Sequence, residues 1–93
     1  MTSAFTAYRA YAYPDPAEEE GGGPAWSEII EVREVSIDHV VADDCEVRDH
    51  PEVPLSQPQR DAVLGRLWYR RTGQWEDEGE RATAPVEPVH DDR

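Results

Sequence analysis

The chain has 93 residues and a formal net charge of −12, with 21 acidic side chains against nine basic ones. A chain this short has room for one small domain with a thin core, because the fraction of surface buried on folding falls with length. A single cysteine, Cys45, excludes an internal disulfide, and no apolar run is long enough to span a bilayer. We therefore expect one soluble domain over residues 1–93, located in the cytoplasm and without a membrane partner.

The charge is unevenly distributed along the chain. Residues 15–54 contain 13 acids and two arginines, and residues 72–93 contain seven acids and two arginines. Between these acidic segments, residues 55–71 contain four arginines and one acid. Blocks of like charge usually mark solvated faces or interaction surfaces. For the positive block, intramolecular neutralisation is the alternative to a role in binding.

The N-terminal segment FTAYRAYAY, residues 5–13, favours a strand because aromatic residues fit a pleated surface, although its alanines leave a helical interpretation open. The segment YPDPAEEEGGGPAW, residues 13–26, contains three prolines and three consecutive glycines. Prolines interrupt regular structure and glycines free the backbone, which predicts a mobile acidic loop.

Residues 27–50 are rich in β-branched side chains, which predicts strands. The apolar alternation changes phase after Val32, and such a change indicates a bulge or break near Arg33-Glu34 because strand side chains alternate faces. A helical interpretation of residues 29–35 is opposed by the many β-branched residues. The sequence ADDC, residues 42–45, then predicts a turn before a short strand, CEVRD.

A capping box predicts where the helix begins. Ser56 is followed three residues later by Gln59, and Pro58 lies in the first turn, where its missing N–H costs little. Gly73 is a reasonable end signal, so the helix is predicted from about residue 57 to 71. The residues expected to face the core are Val63, Leu64, Leu67 and Trp68.

The opposite side of this predicted helix carries Ala62, Gly65, Arg66 and Tyr69. Tyrosine and arginine are residue types that contribute strongly to binding energy at interfaces, so Arg66 and Tyr69 are candidate protein-binding residues. The alternative is a solvated face. Beyond the helix, residues 76–93 are acidic, contain prolines and have low hydrophobicity, which predicts a flexible acidic tail anchored by Trp75 in the core.

These predictions give an α+β fold: a small antiparallel β-sheet packed against one helix, with flexible acidic flanks. No catalytic or metal site is expected. Several potential ligands crowd into residues 39–50, but they lack paired ligands at short fixed spacing and the glycine-centred acidic loop of calcium sites. We interpret them as incidental acids of turns, and we expect no cofactor and no enzymatic activity.

Acidic residues recur two or three positions apart on the predicted strands. A row of carboxylates can occupy the basic groove of a nucleic-acid-binding protein, as a nucleic acid would. Direct nucleic-acid binding is not expected, because affinity for phosphates requires an excess of positive charge. The alternative is that these acids serve only solubility. The candidate protein-binding acids are Glu28, Glu31, Glu34, Asp43, Asp44, Glu46 and Asp49.

The sequence EVREVSIDHVV, followed by VPLSQPQRDAVLGRLW, resembles small phage-encoded accessory proteins in which strands lead into a helix opened by Leu-Ser-x-x-Gln. The resemblance covers residues 28–71. It implies a non-enzymatic inhibitor acting in the host cytoplasm, of the kind that includes anti-CRISPR proteins and acidic DNA mimics. We therefore expect a protein that blocks a basic, nucleic-acid-binding surface of a host protein complex. The alternative is a homo-oligomeric accessory protein of a phage or mobile element, with a dimer contact at Gly65 and Tyr69.

Overall fold

A computed structural model describes residues 7–14, 27–50, 53–79 and 81–89 of the chain. The elements in these residues are, in chain order, β1 (Tyr8–Pro14), β2 (Ser27–Glu34), β3 (His39–Val47), α1 (Gln57–Arg66), β4 (Tyr69–Arg71), β5 (Glu76–Glu78) and β6 (Arg81–Pro88). All strand pairs are antiparallel, in the order β3-β2-β1-β6-β4, and β5 also pairs with β6. A small antiparallel sheet with one short helix is thus confirmed.

Alternation in β1 explains the tyrosine and alanine pattern of the N-terminal segment. Ala10 lies between Val32 and Ala84 across three strands, and Ala12 lies between Ile30 and Ala82. These alanines are buried on one face of the sheet, where Tyr8 also packs against the core, while Tyr11 and Tyr13 lie on the other face. The strand prediction for this segment is confirmed over Tyr8–Pro14, and residues 5, 6 and 15–26 lie outside the described residues.

The core is completed by residues outside the central strands. Val63 and Leu64 of α1, Leu55 before the helix and Trp75 after β4 belong to the same buried cluster as the sheet residues. The expectation that Trp75 anchors its segment in the core is confirmed, since only 9% of it is exposed.

The hairpin of β2 and β3 contains the predicted irregularity. Val32 pairs with Ala42 and Arg33 pairs with Val40, which leaves Val41 as an extra residue in β3. The predicted turn at residues 42–45 is wrong, because these residues lie within β3 and the turn of the hairpin is at residues 35–38.

The predicted end of the helix is also wrong. The helix ends at Arg66, and Trp68 adopts a left-handed backbone conformation with φ of 67°. Tyr69 begins β4, which pairs with β6 through Tyr69 and Pro88. The helical periodicity of residues 67–71 is therefore overridden, because Tyr69, Arg70 and Arg71 pair with β6 as a strand. Trp68, expected in the core, is 63% exposed.

The predicted flexible tail, residues 76–93, contains two strands. Strand β6 lies between β1 and β4 in the sheet, and its residues Ala82, Thr83 and Ala84 are buried. Low hydrophobicity predicts a tail here, but the strand forms because its alanines, which are small, fit in the core opposite Ala10 and Ala12 of β1. Residues 80 and 90–93 lie outside the described part of the chain.

Candidate functional site

The four arginines of residues 55–71 all form ion pairs within the chain. Intramolecular neutralisation is therefore confirmed for this segment. The pairs join α1 and β4 to β2, β3, β6 and α1 itself: Arg60 with Glu28, Arg66 with Asp44 and Glu46, Arg70 with Glu87, and Arg71 with Asp61.

Glu28 is a structural residue, and its assignment to an exposed acidic row is wrong. Its side chain is 1% exposed and is bonded to Arg48 Nε at 2.9 Å and to Arg60 Nη2 at 3.2 Å. The backbone N–H of Leu55 also donates a hydrogen bond to it, at 2.7 Å. Glu28 therefore joins β2 to α1 through Arg60, to the end of the β3 segment through Arg48, and to the residue before the helix through Leu55.

Glu31 is also buried, on the other face of β2. Its carboxylate accepts hydrogen bonds from Tyr13 Oη at 3.0 Å and from Arg33 Nε at 2.8 Å. Burial, followed by the hydrogen bond to Glu31, raises the pKa of Tyr13. Because Glu31 is enclosed by these partners and is only 6% exposed, the expectation of an exposed acid at this position is wrong as well.

A layer of arginine and tyrosine side chains lies on this second face of the sheet. The guanidinium carbon of Arg33 is 5.1 Å from the ring centroid of Tyr11, and that of Arg81 is 4.8 Å from the same centroid. Two cations therefore contact one aromatic ring. The guanidinium groups of Arg33 and Arg81 thus make contacts within the chain, as the arginines of residues 55–71 do.

The remaining predicted acids are accessible to different extents. Glu34 is half-buried at the end of β2 and accepts a hydrogen bond from Ser36 Oγ. Asp43 and Asp49 are exposed, and the side chains of Asp44 and Glu46 are 41% and 37% exposed. Asp43, Asp44 and Glu46 lie on β3, which is the terminal strand of the sheet order.

Arg66 binds the edge of β3 at three points. Its guanidinium donates to Asp44 Oδ2 at 3.1 Å, to Glu46 Oε1 at 3.0 Å and to the carbonyl oxygen of Cys45 at 3.2 Å. The backbone N–H of Cys45 donates to Asp44 Oδ1 at 2.8 Å. This last bond, and then the hydrogen bond from Arg66, lower the pKa of Asp44.

These bonds define the direction of the backbone groups of β3. The N–H and C=O of Cys45 bind side chains, so they point to the outer edge of the sheet, away from β2. Backbone groups of alternate residues in a strand point the same way, which places those of Asp43 and Val47 on the outer edge too. An open depression of about 350 Å³ is lined by Ile29, Asp43, Asp44 and Cys45. The β3 edge, defined as the outer side of residues 43–47, therefore combines accessible acids with outward backbone groups.

The structure separates the two candidate residues of the predicted helix. Arg66 is at the exposed end of α1, but Tyr69 is half-buried in β4, where its ring packs edge-on against Tyr8 with centroids 5.5 Å apart. Burial, and then the nearby Tyr8, raise the pKa of Tyr69. The prediction that Tyr69 lies on an exposed helical face is wrong, whereas Ala62 and Gly65 are exposed as expected.

Trp68 was missed as a surface residue. Its neighbours Tyr69, Arg70 and Arg71 form a short run of strand-favouring and charged residues, which is the one sequence signal that could have ended the helix before it.

Asp61 is a second acid with a structural role. It accepts hydrogen bonds from Arg71 and from Trp75 Nε1, and its pKa lies below the usual value, mainly because of the bonds from Arg71. This contact joins α1 to β4 and to the tryptophan of the core.

Within the described ranges, no group of three or more histidine, cysteine or acidic side chains is arranged to hold a metal ion. In the same part of the chain, no helix combines the length and apolar character needed to cross a membrane. Comparison with known proteins found no matching family model, no similar curated protein and no similar solved structure.

Proposed function

We propose that this chain is a non-enzymatic acidic binding protein in which a sheet, backed by α1, presents the β3 edge to a basic surface of a partner protein. The partner class is a nucleic-acid-handling complex of a host cell, whose basic groove the protein blocks. The observation that carries the proposal is the accessibility of Asp43, Asp44 and Glu46 on the β3 edge, with Asp49 exposed two residues beyond the end of the strand.

The charge balance of the edge supports a basic partner. Arg66 is the basic side chain bound to Asp44 and Glu46, so the four acids retain an excess of negative charge after this pairing. Such an excess accelerates encounter with a basic surface and disfavours acidic partners. Glu28 and Glu31 are not part of this contact surface because both are buried.

The outward backbone groups of Asp43 and Val47 support a defined mode of contact, whereas those of Cys45 are already bonded to Asp44 and Arg66. An exposed sheet edge can accept an extended segment of another protein, whose main chain supplies hydrogen bonds and whose side chains supply specificity. A segment with arginine or lysine side chains would meet acids on both faces of β3. The exposed Val41 and Val47 add apolar area beside them.

The test compares two pairs of charge reversals. Partners captured from a nuclease-treated host lysate by the wild-type chain are identified, purified and titrated with each variant. Asp43→Lys with Asp49→Lys should weaken binding by about tenfold or more, because exposed charges steer and hold a basic partner. The matched control, Glu76→Lys with Asp77→Lys, reverses two exposed acids of β5 and should leave the affinity nearly unchanged.

Two further measurements decide the proposal. Raising the salt concentration from about 0.05 to about 0.5 M should weaken the complex, because it screens exposed charges. The wild-type chain should also displace nucleic acid from the captured partner. Equal losses in both pairs of reversals, or a partner that keeps its nucleic acid, would exclude this function.

A further inference from the structure

Arg66 occupies the centre of the β3 edge, where an added strand would pair. Its guanidinium donates to the carbonyl oxygen of Cys45 at 3.2 Å and to the carboxylates of Asp44 and Glu46 on either side. The N–H of Cys45 donates to Asp44 Oδ1 at 2.8 Å. Side chains of the same molecule therefore occupy both outward backbone groups of Cys45, so the edge is closed at this position.

The contact of Arg66 is exposed, unlike that of Arg60, the other arginine of α1. The side chain of Arg66 is 46% exposed, and the two carboxylates that it binds are 41% and 37% exposed. Arg60 is 11% exposed and binds Glu28, which is 1% exposed. Water can replace each partner of an exposed ion pair, whereas separating a buried pair leaves an uncompensated charge. Arg66 can thus leave the edge while Arg60 remains bonded to β2.

Arg66 is also the last residue of α1, outside the core. The buried residues of this helix are Val63 and Leu64, which belong to the same cluster as the core residues of the sheet. Rotation of the Arg66 side chain into solvent therefore leaves these apolar contacts in place. The edge can open without a change in the fold.

The acceptors around Arg66 indicate what can replace it. Two carboxylates with a carbonyl oxygen between them match the N–H groups of a guanidinium, which form a planar fork. Asp44 and Glu46 are two residues apart, so their side chains lie on one face of the strand. An extended segment with arginine at alternate positions also presents its guanidinium groups on one face. Such a segment can pair with β3 and bind both carboxylates.

We infer that Arg66 closes the β3 edge in the free chain, and that an extended partner segment with arginine at alternate positions binds by displacing it. This role rests on the proposed function, since it names the partner chemistry and the regulation of the same edge. While Arg66 is bound, only a fraction of the molecules is open, and the apparent affinity is reduced by that fraction. Once Arg66 is displaced, the carbonyl of Cys45 pairs with the partner main chain, together with the outward groups of Asp43 and Val47.

The test is a calorimetric titration of the purified chain with a synthetic peptide, with no host protein present. The peptide is capped at both ends and alternates arginine with threonine. Arg66→Ala should bind it at least about fivefold more tightly than the wild type, which is the lower end of typical couplings between two binding equilibria. The amide chemical shifts of Asp43, Cys45 and Val47 should change on binding, which places the peptide at the edge. A peptide with glutamine in place of arginine should bind neither chain.

Arg70→Ala is the matched control, because Arg70 is another exposed arginine and its carboxylate partner, Glu87, lies on β6. This variant removes the same positive charge but leaves the β3 edge closed, so its affinity for the arginine peptide should be nearly that of the wild type. In the Arg66→Ala chain, Asp44→Asn with Glu46→Gln should abolish the gain, because the acceptors lose their charge. Thermal unfolding of Arg66→Ala should resemble that of the wild type, because exposed ion pairs contribute little to stability.

A wild type and an Arg66→Ala chain that bind the arginine peptide equally well, or not at all, would overturn this inference. So would a gain that Arg70→Ala shares, or a peptide that binds away from residues 43–47. An Arg66→Ala chain that fails to fold would also overturn it, because Arg66 would then be a structural residue. These outcomes do not depend on a host partner: a chain that behaves as expected with the peptide but captures no partner from a lysate would contradict the proposed function alone.

Discussion

Glu28 and Glu46 lie directly opposite each other on β2 and β3, yet their carboxylates have different roles. The Glu28 side chain is 1% exposed and is bonded to two arginines, whereas the Glu46 side chain is 37% exposed and shares Arg66 with Asp44. Removing one partner from a buried ion pair leaves an uncompensated charge, which costs far more than the loss of an exposed pair. The difference between structural and accessible acids is thus decided by burial.

The first prediction compares these two residues. Glu28→Ala should lower the free energy of unfolding by about 3–5 kcal/mol, because it leaves Arg48 and Arg60 without their shared carboxylate. Glu46→Ala should lower it by about 0–1 kcal/mol, since exposed ion pairs contribute little. Urea unfolding followed by circular dichroism measures both. Losses of similar size would show that Glu28 does not hold β2 to the helix.

At the scale of elements, local signals were sufficient to predict where α1 begins. Ser56 Oγ accepts from the N–H of Gln59 at 3.3 Å, and Gln59 Oε1 accepts from the N–H of Ser56 at 2.8 Å. These contacts involve residues three positions apart, so the capping box could be recognised in the sequence. The strand tendency of residues 8–13 and the bulge in the β2–β3 hairpin were also predictable from local signals. These signals are the aromatic content of the first segment and the change of phase in the apolar alternation after Val32.

Tertiary contacts decided the elements that were predicted wrongly. The helix ends before Trp68 because β4 pairs with β6, and β6 is ordered because its alanines fit opposite Ala10 and Ala12. Hydrophobicity alone gives small residues little weight, so it predicts a tail at residues 81–88 where the structure has a strand.

The candidate site was predictable in part. The acids of β3 were found from their spacing, but the burial of Glu28 and Glu31 depends on arginines that are distant in the chain or lie on a particular face. Sequence spacing does not specify which face of a strand is covered. Trp68 was missed because the helical period assigned it to the core.

The second prediction concerns the start of the helix. Ser56→Ala should lower the free energy of unfolding by about 1 kcal/mol, because the N–H of Gln59 loses its side-chain acceptor. Ser36→Ala is the control: Ser36 is exposed in the turn of the hairpin, and its hydroxyl donates to Glu34 Oε2 at 3.2 Å. The control should change stability by less than about 0.5 kcal/mol. Thermal and urea unfolding of both variants provide the measurement, and a silent Ser56→Ala would contradict the capping role.

At the scale of the whole molecule, two electrostatic effects oppose each other. Seven arginines of the described residues form ion pairs inside the chain: Arg33, Arg48, Arg60, Arg66, Arg70, Arg71 and Arg81. The net charge of −12 nevertheless leaves many carboxylates in excess. Their mutual repulsion destabilises the folded state, while the local pairs stabilise it. Several pairs are partly exposed, so each contributes little.

The last prediction follows from this balance. Sodium chloride raised from about 0.05 to about 0.5 M at pH 7 should increase the thermal midpoint, because screening relieves more repulsion than it removes attraction. A gain of about 1 kcal/mol corresponds to a rise of roughly 4–8 °C in a domain of this size. Near pH 4.4, the isoelectric point, the net charge disappears and the rise should vanish or reverse. The same salt should weaken the proposed complex with a basic partner, so stability and binding change in opposite directions. A thermal midpoint that falls with salt at pH 7 would contradict this prediction. It would mean that the ion pairs stabilise the fold by more than the excess acids destabilise it, and that the arginines contribute more than their exposure indicates.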